Sequence, residues 1–156
     1  MGPHMAPMIE TIRLSTEIPR PRHEVWRAFA DTESRQLWGV PKGEALVYDR
    51  DDLRTGGRAE YRCGTPEELQ FRVEVSYVAV EESSFVVNTE TVWHGDDLLA
   101  TGLITWTFSD VSGGTRLSID DQLVSFVGTD MIEGSRNGHR IVLDQLTVSL
   151  AEGSLG

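Results

Sequence analysis

Gly128–Leu150 reads GTDMIEGSRNGHRIVLDQLTVSL, and it is the one long stretch of this chain with a helical period. Met131, Ile132, Ser135, Gly138, His139, Val142, Leu143, Leu146 and Leu150 recur at spacings of three and four, which gathers them on one stripe. Thr129 or Asp130 is the expected cap. Gly134 and Gly138 each cost a helix about 0.8–1 kcal/mol relative to alanine. Their presence predicts a helix that passes close to other backbone, or one whose first turns are irregular.

Working back towards the N-terminus, the period changes to two. Expected strands run over Glu44–Asp49, Arg58–Arg62, Leu69–Val80, Phe85–Trp93, Leu98–Ser109 and Thr115–Val124. Short polar or glycine turns separate them, including Gly56-Gly57 and Gly113-Gly114, so consecutive strands pair as an antiparallel meander. Ahead of these lies one more strand, Met8–Ile18, stopped by Pro19 and Pro21. Two short helices follow, Arg22–Ala30 with Val25, Trp26 and Phe29 on one face, and Glu33–Leu37, capped by Asp31-Thr32. The order β-α-α-β-β-β-β-β-β-α predicts an α+β fold. A curved antiparallel sheet of six to seven strands carries two short helices near its start and one long C-terminal helix over its concave face. A flat sheet cannot wrap a helix, so the sheet must curve. Wherever helix and sheet separate, they enclose a cavity.

Composition narrows the function. The 156 residues suit one domain with a substantial core. Met1–Met5 (MGPHM) resembles an expression scar, so residues 1–7 are set aside and 8–152 are read as the domain. With a net charge of -11, a single lysine at Lys42 and no basic cluster, nucleic acid and anionic membrane are poor partners. No apolar run approaches the roughly 20 residues of a membrane span. Cys63 is the only cysteine, so no intrachain disulfide forms and the cytoplasm is the default compartment.

Several segments together resemble the START-like, or SRPBCC, superfamily with its helix-grip fold. Within it, the likeness is to proteins related to the activator of the ninety-kilodalton heat-shock chaperone ATPase. The matching pieces are Ile18-Pro19 through Val25-Trp26-Arg27-Ala28-Phe29, the pair Leu37-Trp38, and Asp52-Leu53-Arg54-Thr55-Gly56-Gly57-Arg58. Gly113-Gly114-Thr115-Arg116-Leu117 and Asn137-Gly138 with Val142-Leu143-Asp144-Gln145-Leu146 complete the set. The resemblance implies a cavity for a small, largely apolar or aromatic molecule, in a carrier or self-resistance role. It also implies two alternatives: a polyketide cyclase-, aromatase- or hydrolase-like enzyme, and a co-chaperone-like interaction domain. The chain departs from its relatives at His139, where the family usually has an aromatic side chain.

The residues carry no recognisable catalytic or metal set. His4, His23, His94 and His139 lack a ligand spacing, so neither metal nor other cofactor is expected. Cys63 reads either as a small buried hydrophobe or as a nucleophile awaiting a base. Asp121 shares a strand face with Leu117, Ile119 and Leu123. It is therefore a general base with a raised pKa, or a carboxylate satisfied by backbone or by a partner such as Arg140. Candidate catalytic residues are Asp121, His139 and Tyr61, which must converge on one pocket if they act together. Candidate ligand-binding residues are the aromatics Phe29, Trp38, Tyr48, Tyr61, Phe71 and Trp106. Val73, Thr89, Ile119, Asp121, His139 and Val142 join them, with threonines expected to face inwards as orienting groups. A binder is favoured over an enzyme, as a monomer or homodimer.

Overall fold

A computed structural model describes residues 6–153, so Met1–Met5 and His4 lie outside the described residues. The elements are β1 (Met8–Ile18), α1 (Arg22–Ala30), α2 (Thr32–Trp38), β2 (Ala45–Asp51), β3 (Arg58–Gly64), β4 (Phe71–Glu81), β5 (Phe85–His94), β6 (Asp97–Val111), β7 (Gly114–Ser125) and α3 (Thr129–Ala151). All seven strands join one antiparallel sheet in the order β1-β7-β6-β5-β4-β3-β2. Strands β2 to β7 form the expected meander, and β1 closes against β7. Helices α1 and α2 carry the chain from one edge of the sheet to the other.

Curvature has a visible source. The register slips between Tyr48 and Arg50, between Tyr77 and Ala79, and between Val92 and Trp93. Irregularities of this kind bend a strand and raise its local twist. The concave face they produce buries Val73, Val75, Val86, Ile104, Phe108, Leu117 and Ile119 with the apolar sides of α1 and α3. Asp31 caps α2 as expected, its Oδ2 accepting the Ser34 N–H at 3.1 Å.

The start of α3 differs from expectation. Neither Thr129 nor Asp130 is the cap; that place belongs to Gly128, at φ 91° and ψ -165° with no side-chain cap bond. Only glycine adopts this backbone region without strain. The Ser125 hydroxyl pins the turn by donating to the Gly128 carbonyl at 2.7 Å.

The helix lies over β1 and β7, along one side of the sheet. Gln145 ties it to the end of α2, its Nε2 donating to the Trp38 carbonyl at 2.9 Å and the Val40 carbonyl at 2.7 Å. Over β2 to β5 the sheet curls away from the helix, and the gap is the cavity.

Candidate functional site

The cavity has a volume of about 460 Å³, within the ~300–1,000 Å³ typical of small-molecule sites. Its floor is made by alternate residues of β3 to β6: Tyr61, Cys63, Val73, Val75, Tyr77, Asn88, Glu90, Val92 and Trp106. Phe29, Arg35 and Trp38 close one side, while Leu46 and Tyr48 come from β2. The opposite wall is the face of α3 bearing Met131, Gly134, Ser135, Gly138, His139 and Val142. A Cβ added at Gly134 or Gly138 would meet nothing within 4 Å. These glycines neither admit another backbone nor mark an irregular turn, contrary to expectation; they widen the cavity.

Of the sequence-predicted residues, Phe29, Trp38, Tyr48, Tyr61, Phe71, Val73, Trp106, His139 and Val142 line this one space. Thr89, Ile119 and Asp121 do not. Thr89 lies between the cavity residues Asn88 and Glu90, so strand alternation directs it to the convex face. On that same face the Thr91 and Thr101 hydroxyls bond each other at 2.9 Å. Threonine suits an outer strand face as well as an inner one, and an alternating pattern defines two faces without saying which is inside. Ile119 is 1% exposed, packed in the main core. It faces inwards, but β7 lies beneath α3, so helix rather than cavity covers it.

Asp121 is 3% exposed and stands behind the cavity wall. Its partner is not Arg140, whose Nη1 donates to the Ser15 carbonyl at 3.3 Å. It is His139, with Nε2 2.8 Å from Asp121 Oδ2. Asp121 Oδ1 is buried with no hydrogen-bond partner, and a Cβ at Gly102 would come within 2.4 Å of it. A side chain in mid-strand at this position would have to displace the carboxylate beside it. An interior glycine in a strand pattern marks this kind of close approach, and Gly102 was the available sequence signal.

Two polar groups that were not among the sequence-predicted residues, Glu90 and Asn88, complete the floor. Glu90, opposite Gly102 in register, accepts the Tyr61 phenol proton at 2.6 Å through Oε1. Burial pushes the Glu90 carboxyl above the usual range; Tyr61 and His139 oppose that shift, and Asp121 adds to it. Burial, followed by the Glu90 charge, drives the Tyr61 phenol well above its ordinary value. Both side chains retain partial accessibility because they line the cavity. Asn88, two residues earlier on the same face, is 5% exposed and donates to the Thr89 carbonyl at 3.3 Å.

Arg35 is the other buried charge. Its Nε donates to the Phe29 carbonyl at 2.8 Å, and its Nη1 to Asp51 Oδ2 at 3.0 Å. Asp51 also accepts from Tyr77 Oη at 2.9 Å and Thr32 Oγ1 at 2.7 Å. The guanidinium sits 5.3 Å from the Phe29 ring centroid and 5.1 Å from that of Tyr48. Burial opposes the Arg35 charge, but Tyr48, Tyr77 and Asp51 outweigh it and hold the pKa above its ordinary value. Cys63 is not poised as a nucleophile. Burial first, then Glu90 and Glu44, push its thiol up to about 12, so little thiolate forms near neutrality.

A curved antiparallel sheet gripping one long C-terminal helix across a cavity defines the helix-grip class of START-like proteins. Residues 19–151 match the family described as activator of Hsp90 ATPase homolog 1-like protein, and the chain belongs to that family. No curated protein sequence matches it. Among solved structures, a Rhizobium leguminosarum protein is similar at 23% identity with a TM-score of 0.85, over 94% of this chain and 97% of the other. The Mll3558 protein of Rhizobium loti gives 22% identity and a TM-score of 0.80, over 94% and 100%. DynU16, from the dynemicin biosynthetic locus, gives 17% identity and a TM-score of 0.70, over 92% of this chain and 48% of the other. At these identities the likeness concerns the fold. No helix among the described residues is long and apolar enough to cross a membrane.

Proposed function

We propose that this protein binds a small, largely apolar molecule in the cavity between the sheet and α3. The observation that carries the reading is the space of about 460 Å³, walled by aromatic and aliphatic side chains with a few convergent polar groups. Two glycines of α3 keep that space open at a cost to the helix, which a protein needing only a packed core would avoid. DynU16 supports a small-molecule role, since a protein of the same fold comes from a biosynthetic locus. A carrier or a sequestering protein would both use such a site. Titrating the tryptophan fluorescence with a panel of aromatic and polyketide-like compounds tests the reading. Saturable quenching by at least one member is expected; no saturable change across the panel refutes it.

One observation favours a catalytic alternative. The Asp121 carboxylate holds His139 Nε2 at 2.8 Å, which leaves Nδ1 as the nitrogen able to take a proton from a bound molecule. Cyclisation, aromatisation or hydrolysis of a polyketide-like substrate all need such a base. Under this reading, mass spectrometry of a bound compound after prolonged incubation finds product, and His139→Phe abolishes it. Unchanged ligand recovered in full removes the alternative and leaves binding.

A further inference from the structure

The basic side chains that line the cavity are each committed to another acid, while one carboxylate has no basic partner of its own. Arg35 spends its guanidinium on two backbone carbonyls, on Asp51 and on two aromatic faces. His139 gives Nε2 to the buried Asp121. Glu90, by contrast, is bonded through Oε1 to Tyr61 and forms no ion pair among the described residues, with His139 acting on it only at longer range. The same strand face presents Asn88, whose amide nitrogen is used on the Thr89 carbonyl, leaving its side-chain oxygen as an acceptor. Asp130 adds a further acid to the wall.

From this imbalance we infer that the ligand is an apolar, ring-bearing molecule carrying a protonated amine, with its nitrogen seated against Glu90 and its rings among the cavity aromatics. The inference rests on the binding reading above. An ammonium group supplies the charge and donors that Glu90 lacks, and charge-assisted hydrogen bonds are about twice as strong as neutral ones. Tyr61 and Tyr48, with ring centroids 5.1 Å apart, offer π faces beside that position. A carboxylate-bearing ligand would meet Glu90 and Asp130, while the basic side chains of the cavity lining, Arg35 and His139, are committed to Asp51 and Asp121. The net charge of -11 repels it before entry.

Three matched probes test this: 1-naphthylmethylamine, 1-naphthylmethanol and 1-naphthoic acid, each titrated calorimetrically into the full chain near neutral pH. The amine is expected to bind about tenfold more tightly than the alcohol, and the acid to show no saturable binding. In Glu90→Gln the amine-to-alcohol ratio should collapse towards one. Should that variant not fold, Tyr61→Phe frees Oε1 and should raise the ratio; a fall counts against the seat at Glu90. Equal binding of amine and alcohol, or tighter binding of the acid, overturns the amine preference while leaving the binding reading intact. Failure of all three probes to bind overturns both.

Discussion

His139 on α3 reaches to within 2.8 Å of Asp121 on β7, joining the long helix to the sheet by a hydrogen bond at the back of the cavity. The contact ties together two consecutive elements of the chain. It satisfies one oxygen of a carboxylate that is 3% exposed and whose other oxygen has no partner.

Removing His139 should therefore be costly in a way that depends on Asp121. His139→Ala is expected to destabilise the fold by about 3–5 kcal/mol, because it strands a buried carboxylate. The same change made on an Asp121→Asn background should cost about 1–3 kcal/mol less. Urea unfolding of the two single variants and the double variant closes the cycle. Additive losses would mean that the contact carries no coupling.

Glu90 sets a dependence of stability on pH. Burial holds its acid above the ordinary value of 4.5, so over a window above 4.5 the folded chain keeps a proton that the unfolded chain has lost. In that window the native state binds more protons, and stability falls as pH rises, by about 1.4 kcal/mol per pH unit at most. The contribution is complete below 4.5 and gone above the folded value. Glu90→Gln cannot lose a proton. It should match the parent in melting temperature near pH 4 and melt higher near pH 8; parallel curves across that range would contradict the assignment.

Arg35 and Asp51 form a buried ion pair, with side chains 8% and 5% exposed. Arg35→Met leaves the carboxylate with Tyr77 and Thr32 alone and should cost about 3–5 kcal/mol. Arg35→Lys should also destabilise the fold, since an ammonium cannot supply the guanidinium fork that spans two carbonyls and Asp51. Chemical denaturation of both variants checks the order, with methionine the worse.

Gly138 offers a change with opposite effects on stability and binding. A Cβ there meets nothing, so Gly138→Ala should stabilise α3 by about 0.8–1 kcal/mol. Gly138→Trp should project an indole into the cavity and abolish ligand binding while the chain stays folded. Melting curves and a fluorescence titration on the same samples read both effects.

Cys63 should be slow to modify. With its thiol pushed up to about 12 by burial and by Glu90 and Glu44, alkylation by iodoacetamide near pH 8 should run far below the rate in denaturant. Equal rates would show that the thiol is not held in that environment.

The element order was legible because each element carries its own period. Strands β4 and β6 alternate, α3 repeats at three and four, and Asp31 caps α2 through a local bond. The aromatic side of the cavity was legible for the same reason: Phe29, Trp38, Tyr61, Phe71 and Trp106 sit on faces that periodicity marks as apolar. Local sequence thus determined the helix-grip architecture and most of the apolar lining.

The polar half of the site was decided by tertiary structure. Period two divides β5 into a Val87-Thr89-Thr91 face and a Val86-Asn88-Glu90 face, and nothing local says which is buried. The answer comes from partners distant in sequence: Tyr61 on β3 for Glu90, and the pairing of Asn88 with Ile104. Asp121 and Ile119 face inwards, yet helix rather than cavity covers them, because α3 lies on β1 and β7 and leaves β2 to β5 open. Buried charge is tolerated only where a partner arrives, and the arrival of Tyr61, His139 and Asp51 is a property of the folded sheet. The residues therefore specify that a cavity forms, whereas the packing of α3 against one side of the sheet specifies which carboxylate faces it.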